Sequence, residues 1–258
     1  MDHVTSNDGT TIGFDRLGDG PPVVLVCGGS VDRMSNAPVA ELLAADHTAF
    51  NYDRRGRGDS GDTQPYAVDR EIDDIAAVVE AAGGSAFLYG TSSGAVLALK
   101  AAAKLDSITK LALWEPPYIP EGFPRPPADT ADTYRRLVAE DRRGDAVEFF
   151  MSKVVGMPEE FVAQAKNAPF WGPTEALAHT LAYDATVMGD YVMPAELVTS
   201  VSIPTLVLAG SASFPWMDQT AQAMADLLPN GQHGLLEDQT HDVDPSVITP
   251  ALRAFFAA

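Results

Sequence analysis

Apolar positions along the chain fall into two patterns. Short β-branched or aromatic runs bounded by turn residues alternate with longer stretches in which apolar residues recur every three or four positions. Runs over 11–16, 23–27, 47–53, 86–89, 108–114, 205–209 and 234–236 predict strands. The run Val23-Val24-Leu25-Val26-Cys27 is apolar throughout, as a strand buried on both faces must be. Helices are predicted over 69–82, 93–103, 216–228 and 246–256. In the first of these, Ile72, Ile75, Ala76 and Val79 form the apolar stripe, acids occupy the first turn where the helix dipole favours them, and Gly83-Gly84 stops it. The alternation predicts an α/β fold, a mostly parallel sheet with helices on both faces, opened by an antiparallel strand at 11–16.

Between 117 and 202 this rhythm breaks. The segment opens with Pro117, Pro120, Pro124, Pro126 and Pro127, then offers helical stretches near 130–139, 145–155, 159–166 and 174–186, with no convincing strand. It reads as a helical cap inserted into a core made of 1–116 and 203–258, lying across the carboxyl edge of the sheet, where open α/β sheets bind ligands. Its aromatic and methionine residues suit packing between cap helices, with a minority left to line an apolar, adaptable pocket.

Charge narrows the partners. A formal net charge of -19 gives a surface that repels nucleic acid and anionic membranes, so neither is expected to bind. The single cysteine, Cys27, cannot form an internal disulfide, and Met1-Asp2-His3 begins neither a basic n-region nor an apolar h-region. No apolar run approaches the length of a membrane span. A soluble cytoplasmic protein is expected; oligomeric state is not legible.

Two segments carry chemistry. Leu88-Tyr89-Gly90-Thr91-Ser92-Ser93-Gly94-Ala95 reads as a strand entering G-x-S-x-G and then directly a helix, the form of a nucleophile elbow presenting Ser92. Gly90 and Gly94 lack the Cβ atoms that would collide where strand and helix meet so sharply. Earlier, Val24-Leu25-Val26-Cys27-Gly28-Gly29-Ser30 is a buried strand ending in a Gly-Gly loop. Ester hydrolysis passes through a tetrahedral oxyanion that needs two N–H groups already aimed at it. With a nucleophile elbow these come from the residue after the serine, here Ser93, and from the earlier loop, here Gly29.

With these motifs the chain resembles an α/β-hydrolase over essentially its whole length, which implies an eight-stranded sheet. Asp53-Arg54-Arg55-Gly56-Arg57-Gly58-Asp59-Ser60 is similar to the family's structural signature D-x-R-G-x-G-x-S, and phosphate binding by these arginines is disfavoured in so acidic a chain. The segments at 203–210 and 236–241 resemble the family's last two core strands with their loops, which puts His241 where the general base is expected. The family's usual aspartate after the strand at 205–209 is missing. That loop reads Gly210-Ser211-Ala212-Ser213-Phe214-Pro215-Trp216, and Ser213 stands at the usual position. Either another acid has taken the role or catalysis is impaired. Glu115, after the strand at 108–114, is the candidate, with Asp218 as runner-up. Haloalkane dehalogenases and fungal zearalenone lactonases use a glutamate after this strand. The lactonases are the nearer likeness, because they too pair a G-x-S-S-G elbow with a glutamate close to a proline. The stretch Asn167-Ala168-Pro169-Phe170-Trp171 resembles part of their lid that supplies a substrate-facing tryptophan.

The resemblance therefore implies a serine hydrolase that cleaves a small apolar carboxylic ester or lactone without metal or cofactor. Ser92 would attack, His241 relay the proton, Glu115 orient His241, and Gly29 and Ser93 hold the oxyanion. Trp171, Tyr183 and Phe214 are the candidate substrate contacts. A catalytically impaired small-molecule binder and an acyltransferase or C–C hydrolase with the same triad remain open. Cys27 reads as a buried, inert thiol.

Overall fold

The structure, a computed structural model, describes residues 1–258. Eight strands form one sheet: β1 (Asp2–Thr5), β2 (Thr11–Leu17), β3 (Pro22–Val26), β4 (Thr48–Tyr52), β5 (Ala86–Thr91), β6 (Ile108–Trp114), β7 (Thr205–Gly210) and β8 (Gly231–Leu236). Their order is β1-β2-β4-β3-β5-β6-β7-β8. The β1/β2 and β2/β4 pairs are antiparallel, and every pair from β4/β3 onward is parallel. The predicted strands are all present with ends within three residues of expectation. The eighth, β1, has no apolar pattern to announce it: Asp2, His3 and Thr5 are exposed, which an antiparallel edge strand tolerates.

Core helices cover both faces: α1 (Ala37–Leu43), α2 (Val68–Ala81), α3 (Ser93–Ala102), and, late in the chain, α10 (Met217–Leu227) and α11 (Pro245–Ala257). Because side chains alternate along a strand, β3 sends Val24 and Val26 to the face packed by α2, α3 and α10, and Val23 and Leu25 to the face packed by α1 and α11. In the same way β6 divides Leu111 and Leu113 from Ala112 and Trp114. Continuous apolar runs are the direct consequence of burial on both sides.

Between β6 and β7 lie six helices and no strand: α4 (Thr130–Ala139), α5 (Arg143–Phe149), α6 (Glu159–Ala165), α7 (Trp171–Ala176), α8 (Leu181–Met188) and α9 (Ala195–Ser200). They have their own apolar cluster, which includes Tyr134, Leu137, Val147, Val162 and Leu181. The helical stretch expected at 174–186 is broken into α7, a 3₁₀ turn over Ala178–Thr180, and α8. Two side chains account for the break: Thr180 Oγ1 donates to Leu177 O (2.8 Å), competing with the backbone ladder, and His179 Nε2 reaches across to Gly56 O (2.9 Å). The stretch expected at 145–155 likewise widens into a π-turn over Phe150–Val154 after α5. The short α1 and α9 were not legible. Val187, Met188, Tyr191 and Val198 of the inserted segment join the main core cluster, so the insertion shares its packing with the sheet-bearing body. No helix is long and apolar enough to cross a membrane.

Candidate active site

Parallel strands end together, so Ser92 after β5, Glu115 after β6 and His241 after β8 all lie at the carboxyl edge of the sheet, and side-chain contacts join Glu115 to His241. Ser92 follows β5 with φ 54° and ψ -125°, a backbone conformation that L residues rarely adopt. Its amide donates to Trp114 O at 2.9 Å, which ties the turn to the neighbouring strand. The flanking glycines have steric reasons to be there: a Cβ on Gly90 would lie 2.5 Å from Gly94 O, and one on Gly94 would lie 2.3 Å from Cys27 O. Ser30 (φ 60°) and Glu115 (φ 44°) also sit at positive φ. Strained non-glycine residues tend to cluster where function needs them, and these border the elbow, the Gly-Gly loop and the end of β6.

Glu115 is fully buried. Its amide donates to Leu208 O (3.0 Å), so the residue is pinned between β6 and β7. A buried carboxylate is tolerated only when its oxygens are satisfied. Gly210 N donates to Oε1 at 2.9 Å, Ser213 Oγ donates to Oε2 at 2.8 Å, and His241 Nδ1 lies 2.5 Å from the same Oε2. With Nδ1 donating to the carboxylate, Nε2 is left as the acceptor, the tautomer a general base requires. The Trp114 indole N–H donates to His241 O (2.9 Å) and fixes the loop that carries the histidine. Asp218 faces elsewhere, with one oxygen 2.8 Å from His233 Nε2. Ser213, on the loop after β7, is thus a donor to the acid at the end of the neighbouring strand.

The Gly-Gly loop packs directly on the elbow: a Cβ on Gly28 would lie 3.2 Å from Ser92 Cβ, and one on Gly29 would lie 3.4 Å from Ser93 Oγ. Behind the loop is a buried charged network. Arg54, Arg55 and Arg57 are buried. Arg54 forks onto Glu71 (2.7 and 2.8 Å) and reaches Asp184 (2.7 Å), and Arg55 forks onto Asp74 (2.8 and 2.7 Å). The expected structural role of this segment is what these contacts perform, with the Arg54 and Arg55 guanidiniums each forked onto a carboxylate. Burial pushes the Asp184 carboxyl up, but the guanidiniums of Arg57 and Arg54 and the Ser93 hydroxyl outweigh it, so the net shift is below the usual carboxylate range. Cys27 is buried, and burial pushes its thiol up, against the lowering influence of Arg57 and Arg54.

The family model described as "Alpha/beta hydrolase family" matches residues 23–245. The chain belongs to that family. This α/β-hydrolase is similar to a solved α/β-hydrolase from Sphaerobacter thermophilus DSM 20745, at 54% identity, with a TM-score of 0.94 over 99% of this chain and 100% of that one. A thermophilic esterase from Thermogutta terrifontis is similar at 25% identity, with a TM-score of 0.75 over 99% and 97% of the two chains. The uncharacterized hydrolase YraK of Bacillus subtilis (strain 168) is 35% identical over 95 residues, so the match spans 35% of this hydrolase and 35% of that protein.

Of the candidate substrate contacts, Phe214 stands at the site, its ring edge-on to the His241 imidazole at 6.4 Å between centroids. Trp171 packs against the cap's own apolar cluster. Tyr183 is committed to the seam between cap and core: it stacks on Tyr66 at 4.0 Å, donates to Asp62 (2.8 Å) and accepts from Gln64 (2.6 Å). The sequence missed Asp184 and the reach of Arg57. The one available signal was Arg57 itself, a third arginine at a variable position of a structural signature in an acidic chain.

Proposed function

We propose that this α/β-hydrolase cleaves a small apolar carboxylic ester or lactone through an acyl-enzyme on Ser92. The observation that carries the reading is the 2.5 Å contact between His241 Nδ1 and a Glu115 carboxylate held by two further donors. An unpartnered histidine would speak for a lost triad, whereas this one is oriented and has a charge to offset its imidazolium. Ser92 attacks the carbonyl while His241 Nε2 takes its proton. The Gly29 and Ser93 N–H groups stabilise the oxyanion, and collapse expels the alkoxide, which receives the proton from His241. Water repeats the cycle on the acyl-enzyme. The triad itself supplies nucleophile, base and electrostatic stabilisation, so the proposed reaction calls on no metal or cofactor.

A fluorophosphonate probe tests the reading, because only an activated serine reacts with it. The wild-type protein should be labelled at Ser92, and Ser92→Ala should lose labelling and on the order of 10⁶ of turnover on chromogenic esters while retaining substrate binding. Full turnover in Ser92→Ala would remove the proposal. A panel of esters and macrocyclic lactones, run with and without an alcohol acceptor, separates hydrolase from acyltransferase.

A further inference from the structure

The N–H assigned to Gly29 belongs to a peptide between two glycines, and a Gly-Gly unit has no side chain to favour one face of that peptide over the other. A trans peptide is planar with its C=O and N–H pointing in opposite directions, so whatever grips the Gly28 carbonyl decides where the Gly29 N–H aims. Arg57 grips it. Its Nη1 donates to Gly28 O at 2.5 Å and to Val31 O at 2.9 Å, so two carbonyls of the loop turn toward one buried guanidinium. Turning the peptide over would set the Gly29 N–H against that buried guanidinium, donor facing donor.

Arg57 is itself seated from the cap. Its Nη2 donates to Asp184 Oδ1 at 2.8 Å, and Asp184 lies on α8. The same carboxylate accepts from Ser93 Oγ (2.9 Å) and from Ser30 N (3.3 Å), the residues that carry or adjoin both oxyanion donors. Arg54, paired with Glu71, completes the charge balance around it.

Resting on the reading of Ser92 and Gly29 above, we propose that Arg57, seated by Asp184 of the cap, is a positioning residue that locks the Gly28-Gly29 peptide with its N–H turned to the oxyanion. The oxyanion hole is then complete only when α8 is docked on the core. Neither side chain touches substrate; both act through the backbone.

Arg57→Lys keeps the charge but cannot serve two carbonyls and a carboxylate in fork geometry, and Asp184→Asn keeps the shape but removes the charge that seats Arg57. Each should lower kcat, by about 10²-fold for Arg57→Lys and about 10-fold for Asp184→Asn, with KM within threefold of wild type, since an oxyanion donor acts only as charge develops. Affinity for phenylboronic acid, which forms a tetrahedral anion on the serine, should fall by the same factor as kcat. Turnover within threefold of wild type in both variants overturns the inference. So does a loss in which boronate affinity is unchanged, because that pattern belongs to a general structural defect. If either variant does not fold, the wild-type protein decides: phenylboronic acid should shift the Gly29 amide proton downfield, and a shift at Ser93 with none at Gly29 overturns the inference. Fluorophosphonate labelling of the wild type is read first, so failure of the serine-hydrolase reading is distinguished from failure of this one.

Discussion

Glu115 shows how far a single residue can be read before its neighbours are known. The motif placed a carboxylate at the end of β6; it did not say that Gly210 N and Ser213 Oγ would satisfy it. Glu115→Gln keeps the shape but removes the charge that offsets the imidazolium, so turnover should fall about 10⁴-fold with the fold intact. Asp218→Asn should stay within a few-fold of wild type, since that carboxylate engages His233. Because Ser213 Oγ already lies 2.8 Å from the oxygen that contacts His241, adding Ser213→Asp to Glu115→Gln should recover part of the lost rate, and esterase kinetics on the double variant check this. Ser92 and His241 could be nominated from the sequence because each sits in a local motif. Asp184 was not, since its partners Arg57 and Arg54 lie 127 and 130 residues away and no local pattern joins them.

Among elements, the junction of β5, elbow and α3 is the least forgiving. Gly94→Ala would place a Cβ 2.3 Å from Cys27 O and 2.6 Å from Val26 O, backbone atoms of a central strand that cannot yield cheaply. A loss of about 3 kcal/mol or more is expected by urea unfolding. Gly172→Ala, on helix α7 with nothing within 4 Å of the new atom, should instead gain roughly 0.5–1 kcal/mol through helix propensity. Strands and core helices were legible because burial on two faces writes an apolar run and burial on one writes a stripe. Within the cap the helix at 174–186 was overdrawn. Its periodicity continues through Ala178–Thr180, and only the side-chain contacts of His179 and Thr180 with distant or local carbonyls break the ladder.

At the scale of the molecule, the cap is bolted to the core by buried charge, and that makes the assembly sensitive to acid. Asp184 and Glu71 are held below the usual carboxylate range because arginines outweigh the cost of burying them. The folded state therefore binds those protons less readily than the unfolded state. Their contribution is present above about pH 4 and is lost as pH falls through and below that value. Asp74 has the opposite sign, since burial pushes its carboxyl up despite Arg55, so it offsets part of the loss. Protonating a surface of net charge -19 also relieves self-repulsion, which is why the useful measurement is a difference. The fall in melting temperature from pH 7 to pH 3.5 should be smaller in Asp184→Asn than in wild type, and an equal or larger fall would show that this carboxylate does not set the acid limb.

The proposed placement of the acid just after β6 bears on how genomes are read. A filter keyed to an aspartate after the seventh strand would file this chain among dead enzymes, although Glu115 and Ser213 converge on one point beside the imidazole. If Ser213→Asp rescues Glu115→Gln as expected, two adjacent strand ends serve as addresses for the same charge, and a lineage can pass the acid from one to the other through a form carrying both. Inventories of inactive hydrolases drawn from alignment columns alone should then contain functional members whose carboxylate has moved one strand sideways.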